Sequence, residues 1–506
     1  MSTKVSAAMV SFRGPTAPDW VLAGIEDGTI ASVCLFNYNF NSLDQLRALT
    51  ASLHAAAERG GQLPPLIGID QEGGQLMAVG HGATELPGNM ALGATGSTEL
   101  ARRTGNMLAE ELLALGCNLN FAPVLDLASQ LESHVVGLRA FGDEAETVTK
   151  FGLAVIEGLQ ERGVLATAKH FPGHGNTGFD THATAPVVRA GRAELETGLA
   201  PFRAAVNAGV AAVMSVHVSF PAFEAGPATL SRAILTDLLR GDLGFDGLVI
   251  TDAMDMEAVR HVSAHSAVRQ AVRAGADLVL FGHLPDQEQL VAAVAEVTGP
   301  ETRARIQAAR QKIADSAAGP GSISTDAHRA LAQEIADRAV TVARGNPELK
   351  LEQDDRLLLI TFPRGAATPA DSTDDSRLQL LDALRSRHSA TSELVADPGS
   401  SASGLAASAT RQKPTHVVIA TEDAAADPRQ AELVRTLQAA GLDPVVIILR
   451  SPLDLNVLRD AAHVICTYGV RQPQAEAAAR LLFAEIEAQG TMPVSLPPPE
   501  EPVAGT

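Results

Sequence analysis

The 506-residue chain is predicted to be an α/β protein, a (β/α)8 TIM-like barrel followed by an α/β/α sandwich domain. Three observations predict it. Eight short apolar runs recur through roughly the first 280 residues, separated by stretches with apolar residues three and four apart; this alternation builds βαβ units and a parallel sheet. Eight units in about 250 residues is the usual size of a barrel. A second set of apolar runs begins near Arg356, after a segment of helical pattern.

The eight barrel strands are predicted at Val5–Phe12, Ile30–Phe36, Leu66–Asp70, Asn118–Val124, Val164–His170, Val210–His217, Gly247–Asp252 and Asp277–Phe281. Ser97–Leu115 and Glu144–Glu161 carry the amphipathic spacing of helices between them. Gly and Pro cluster just after several strands, at Gln71–Gly74, Phe171–Gly175 and Phe220–Ala225. The longer loops therefore follow the strands, which in a barrel is the catalytic face. From Phe281 to about Gly345 the pattern is helical, and the small residues of Asp315–Thr325 read as a turn or linker. Strands follow at Leu357–Phe362, His416–Thr421, Pro444–Leu449 and His463–Thr467, with helices at Gln430–Ala440 and Gln474–Gln489. Thr368–Gln412, rich in Ser, Thr, Ala and Asp, is expected to hold one helix and mobile loop. The domains expected are 1–315, a catalytic barrel with flanking helices; 316–345, a linker helix region; and 346–506, the C-terminal sandwich.

Composition sets bounds. Hydrophobic residues are 46% and charged residues 19%, enough for a large core. The net charge of −20 disfavours nucleic acid as a general partner. Cys34, Cys117 and Cys466 are too few and scattered for a disulfide framework. No apolar run approaches a membrane span or a signal-peptide core. A cytoplasmic protein with reduced thiols is expected.

Chemistry concentrates at the predicted strand ends. Lys169–His182 (KHFPGHGNTGFDTH) packs three histidines, a lysine and an aspartate into a loop that Pro172 and three glycines keep from being helical. Asp180 and His182 have the spacing of an acid/base pair, in which the carboxylate orients the imidazole and raises its basicity. Asp180 as a turn cap with His182 merely packed is the alternative. A zinc site of His170, His174, His182 and Asp180 is a third reading, but Phe-Pro-Gly between His170 and His174 removes the one-face helical pairing, and no metal or other cofactor is expected. In GLVITDAMDM, Asp252 ends a strand and suits a nucleophile, a base or a helix cap, with Asp255 the better placed cap. In IGIDQEGG, Asp70 suits bidentate bonding to vicinal hydroxyls, with Glu72 close by. Asp126 is expected to form a pocket-shaping ion pair with Arg139, or Arg139 to point at substrate. His217 is either a substrate contact or a buried polar group.

KHFPGHG with its Asp-x-His, DQEGG upstream and TDAMDM downstream resembles glycoside hydrolase family 3, in its β-N-acetylglucosaminidase branch of bacterial cell-wall-recycling type. LRSPLDL, CTYG and MPVSLP resemble that family's second domain. The resemblance implies a retaining exo-β-N-acetylglucosaminidase with a covalent glycosyl–enzyme. Asp252 is then the nucleophile and His182, assisted by Asp180, the general acid and base. Asp70, Arg139, Lys169 and His170 are implied to bind the sugar. The implied substrate is an N-acetylglucosaminide, a muropeptide or chitooligosaccharide fragment. Phosphorolysis, β-glucoside cleavage, and sugar binding without turnover are the alternatives. The sequence departs from the family where DQEGG continues as Gln75–Val79 without arginine. The barrel motifs look complete without the second domain, which is expected to be accessory.

Overall fold

The computed structural model of the chain describes residues 4–80, 82–129, 131, 135–174, 186–260, 262–316, 319, 321–362, 371–373 and 376–496. Eight parallel strands form one sheet: β1 (Ala8–Val10), β2 (Ser32–Cys34), β3 (Leu66–Ile69), β4 (Leu119–Asn120), β5 (Leu165–Phe171), β6 (Ala212–Ser215), β7 (Leu248–Thr251) and β8 (Val279–Leu280). Each pairs with the next, and β8 pairs with β1. A bridge between Ile250 and Leu278 joins β7 to β8, so the sheet closes on itself. The alternation of side chains explains the fold. Met9, Cys34, Leu66, Leu119, Leu165, Met214, Ile250 and Leu280 pack together inside the barrel, while Val10, Val33, Ile67, Ala166, Val213, Val249 and Val279 join the core beneath the surrounding helices. Phe121 fills the interior so closely that a Cβ on Gly68 would lie 2.5 Å from its ring, a place only glycine can hold. Helix Leu43–Arg59 starts where Ser42 accepts from Gln45 N, and helix Thr98–Ala114 where Ser97 accepts from Leu100 N.

The second sheet has six strands: β9 (Thr341–Arg344), β10 (Leu357–Thr361), β11 (Thr391–Val395), β12 (His416–Thr421), β13 (Val445–Ile448) and β14 (His463–Cys466), in the order β9-β14-β13-β12-β10-β11. All pairs are parallel except the edge pair β9–β14. Helices pack on both faces, against two separate apolar clusters. Two of these strands depart from the sequence reading. β9 lies in the stretch of helical pattern and β11 in the stretch expected to be helix and loop. Both are edge strands, exposed on one side, so they lack the continuous apolar run of a buried strand.

The two sheets share a core. Met90, Ala91, Ala94, Val136, Leu138 and Ala140 of the barrel side belong to the same apolar cluster as Leu358, Ile419 and Val446. Arg471 donates through Nε to Gly74 O at 2.8 Å, and Gln472 N donates to Glu85 Oε2 at 2.8 Å. No helix among the described residues is long and apolar enough to cross a membrane.

Candidate active site

A cavity of about 510 Å³ opens where the strands end. Its lining includes Asp70 after β3, Lys169 and His170 at the end of β5, Asp252 after β7, and Arg139. The proposed sugar-binding residues and the proposed nucleophile therefore meet in one place, although they are spread along the sequence. Asp180 and His182 lie outside the described residues; the chain is described up to His174, which lines the cavity.

The buried wall is an alternating array of charges. Lys169, 2% exposed, contacts Asp70 Oδ1 at 2.7 Å and Glu72 Oε1 at 2.5 Å. Arg139 donates to Glu72 twice, from Nε at 2.9 Å and Nη2 at 2.7 Å, and from Nη1 to Val135 O at 2.7 Å. Burial pushes the Glu72 carboxyl up, but Arg139 and Lys169 outweigh this and hold it at about 2. Burial also works against the Lys169 ammonium, yet Asp70 and Glu72 raise its pKa, so the cation persists.

Asp126 organises the start of the His-rich loop. It accepts from His170 Nδ1 at 2.7 Å and from His174 N at 2.6 Å. That bond fixes the His170 ring, and His170 lines the cavity. Burial lowers the Asp126 charge's stability, and His170 more than offsets it, so the carboxyl sits below its ordinary range. Burial pushes the His174 imidazole down to about 4. His174 is thus neutral near pH 7.

Asp252 N donates to Ser215 O at 3.2 Å, and Asp252 Oδ1 accepts from Ala253 N at 2.7 Å. His217 holds this turn from behind: Nδ1 meets Thr229 Oγ1 at 2.8 Å and Nε2 meets Ala253 O at 3.0 Å. His217 is absent from the cavity lining, so its buried-polar reading is the one the structure favours.

Several expectations need correction. Asp126 and Arg139 do not pair: Asp126 goes to His170 and Arg139 to Glu72, because Glu72 follows Asp70 into the buried wall while Asp126 follows β4 toward β5. Asp255 caps no helix. Helix Ala264–Ala274 begins at Ser263, and Asp255 lines the cavity instead, close to Gly282, where a Cβ would fall 2.0 Å from its Oδ1. Glu72, which the sequence marks only by its Asp-x-Glu spacing at a strand end, takes both buried cations, Arg139 and Lys169. Asp371 and Ser372, preceding helix Ser376–Arg385, also line the cavity. Met77 N donates to Ser372 Oγ at 2.9 Å and Ser372 N to Gln75 O at 2.8 Å. The segment without the family's arginine is thus pinned by the second unit, which is more than accessory to the cavity.

The comparisons with known proteins agree with this arrangement. A beta-hexosaminidase of Thiobacillus denitrificans is 39% identical over 291 residues, 56% of this chain and 80% of that one. One of Nitrosomonas eutropha is 37% identical over 287 residues, 55% and 81% of the two chains. Among solved structures, a family 3 beta-N-acetylglucosaminidase from Paenibacillus sp. superposes with a TM-score of 0.89 at 33% identity, covering 98% of this chain and 99% of that one. NagZ of Neisseria gonorrhoeae superposes with a TM-score of 0.58 at 30% identity, covering 66% and 98%. Residues 14–315 match the Glycosyl hydrolase family 3 N terminal domain. With that match spanning more than half of the sequence, over the barrel whose strand ends carry the Asp70–Lys169–Asp252 cavity, the chain belongs to glycosyl hydrolase family 3.

Proposed function

We propose that the protein is a retaining exo-β-N-acetylglucosaminidase that releases terminal β-linked N-acetylglucosamine. The observation that carries this reading is the partly buried Asp252 carboxylate in the same cavity as the Asp70–Lys169 pair and His170. Asp70 and Lys169 offer an acceptor and a donor to neighbouring hydroxyls, which fixes the sugar ring and sets its anomeric carbon toward Asp252. Asp252 attacks that carbon, the glycosidic bond breaks, and a glycosyl ester forms. His182, oriented by Asp180, gives the leaving oxygen its proton and then takes one from water as water displaces Asp252. The relatives' names, beta-hexosaminidase and beta-N-acetylglucosaminidase, support the N-acetylated sugar. The cavity volume of about 510 Å³ and the NagZ likeness favour small fragments of peptidoglycan or chitin as substrate. The three buried, unbridged thiols fit the cytoplasm.

The test is release of nitrophenol from the chromogenic N-acetyl-β-glucosaminide and β-glucoside, with and without phosphate, with the first-formed anomer followed by NMR. The N-acetylated substrate should be cleaved faster, independently of phosphate, giving the β-anomer first. Faster glucoside cleavage, a phosphate requirement or the α-anomer would each overturn part of the assignment.

A further inference from the structure

Aromatic side chains are scarce in this chain, with two tyrosines and one tryptophan in 506 residues. Tyr468 is buried and bonds Thr341 Oγ1 at 2.8 Å, a structural use. Tyr38 is different. It lies with Phe36 and His283 in a triad of rings lining the cavity. Phe36 and Tyr38 have centroids 5.3 Å apart with planes 14° from parallel; His283 stands 5.4 Å from Phe36 and 5.1 Å from Tyr38. The Tyr38 hydroxyl meets His283 Nδ1 at 3.2 Å. Phe36 and Tyr38 are only partly buried and His283 is exposed, so the triad is not core.

Its place in the barrel gives it a meaning. Phe36 and Tyr38 follow β2, and His283 follows β8; the two strands flank β1. The triad therefore spans the arc between β7, which carries Asp252, and β3, which carries Asp70. The opposite arc, through β5, carries Lys169 and His170. The β5 side of the cavity presents Lys169 and His170, while the side of β8 and β2 presents the three rings, with Asp255 close to Gly282 beside His283. A pyranose has a face of C–H bonds that packs on such rings, while its edge hydroxyls bond groups like the Tyr38 hydroxyl and the imidazole.

We propose that Phe36, Tyr38 and His283 form a stacking platform for a second pyranose, the sugar that leaves, making this a site for glycan substrates rather than simple glycosides. The inference rests on the glycosidase reading of the Asp252 cavity.

The test compares N,N′-diacetylchitobiose with methyl N-acetyl-β-glucosaminide. Both lose an unactivated alkoxide, and only the first carries a ring there. In Tyr38→Ala, kcat/KM on the disaccharide should fall roughly three- to tenfold more than on the methyl glycoside, the worth of one aromatic contact. Tyr38→Phe keeps the ring and should keep most of the preference, which separates stacking from loss of fold. Equal losses on the two substrates, or none, overturn the platform. If the wild type cleaves neither glycoside, the glycosidase reading fails by itself. The sulfur-linked disaccharide then decides the platform by calorimetry: its Kd should rise roughly three- to tenfold in Tyr38→Ala, and an unchanged Kd overturns it.

Discussion

Arg139 forks onto Glu72 through two hydrogen bonds, at 2.9 and 2.7 Å, with both side chains almost wholly withdrawn from solvent. Glu72 also meets Lys169, so one carboxylate answers two buried cations. Such an arrangement is costly to break and adds little by its mere presence, since desolvation offsets much of the attraction.

Glu72→Gln should therefore destabilise the fold. It takes from Arg139 the only carboxylate the described residues show it bonded to and leaves Lys169 with Asp70 alone, a cost of roughly 3–5 kcal/mol. A clear fall in Tm is expected. An unchanged Tm would show the array to be far better solvated than its geometry implies.

Asp70→Ala should act mainly on substrate. Lys169 keeps Glu72, so stability should suffer less than in Glu72→Gln. The lost acceptor for a sugar hydroxyl should cost about 1.5–3 kcal/mol in kcat/KM. Parallel Tm and kinetic measurements on the two variants separate the roles, and a larger Tm loss for Asp70→Ala would reverse them.

Asp252→Asn should leave the fold intact and lower turnover by several orders of magnitude, because the amide cannot attack the anomeric carbon. Near-normal turnover in a folded variant would remove Asp252 from the chemistry.

His182→Ala should slow loss of a sugar far more than loss of dinitrophenolate, which needs no proton. With the activated substrate, the glycosyl–enzyme should accumulate and azide should release it as a glycosyl azide. Asp180→Asn should act in the same direction, more weakly. Equal slowing on both leaving groups without azide rescue would return the loop to a binding role.

Stability should fall on acidification in two steps. His174, held neutral by burial with a pKa of about 4, contributes fully above its unfolded value near 6.5 and loses that contribution as pH drops toward 4. The amount is on the order of 3 kcal/mol. Glu72, held at about 2, contributes above about 4.5 and loses its share between there and 2. Tm followed against pH in His174→Leu should lose the upper step and keep the lower one.

All eight barrel strands were legible because each is buried on both faces and reads as an apolar run, from Ala8–Val10 to Val279–Leu280. The polar residues at their ends were legible for the same reason, as breaks in apolar runs. Partner choice was not. Whether Arg139 takes Asp126 or Glu72 depends on which loops cross, and spacing does not encode that. Thr391–Val395 and Thr341–Arg344 were missed as edge strands. Asp371 and Ser372 sit in a stretch of small polar residues that reads as one helix and mobile loop, and their place at the cavity follows from docking between units.

That docking has a consequence for how such an enzyme diversifies. Two of the residues that line the cavity, Asp371 and Ser372, are written in a part of the gene remote from the nucleophile, on a unit with no proposed share in bond breaking. Changes there can reshape what fits while the reacting groups stay untouched, so substrate range and chemistry are open to separate selection. Library design can use the same division: vary the residues about Asp371 and Ser372, and hold the barrel fixed.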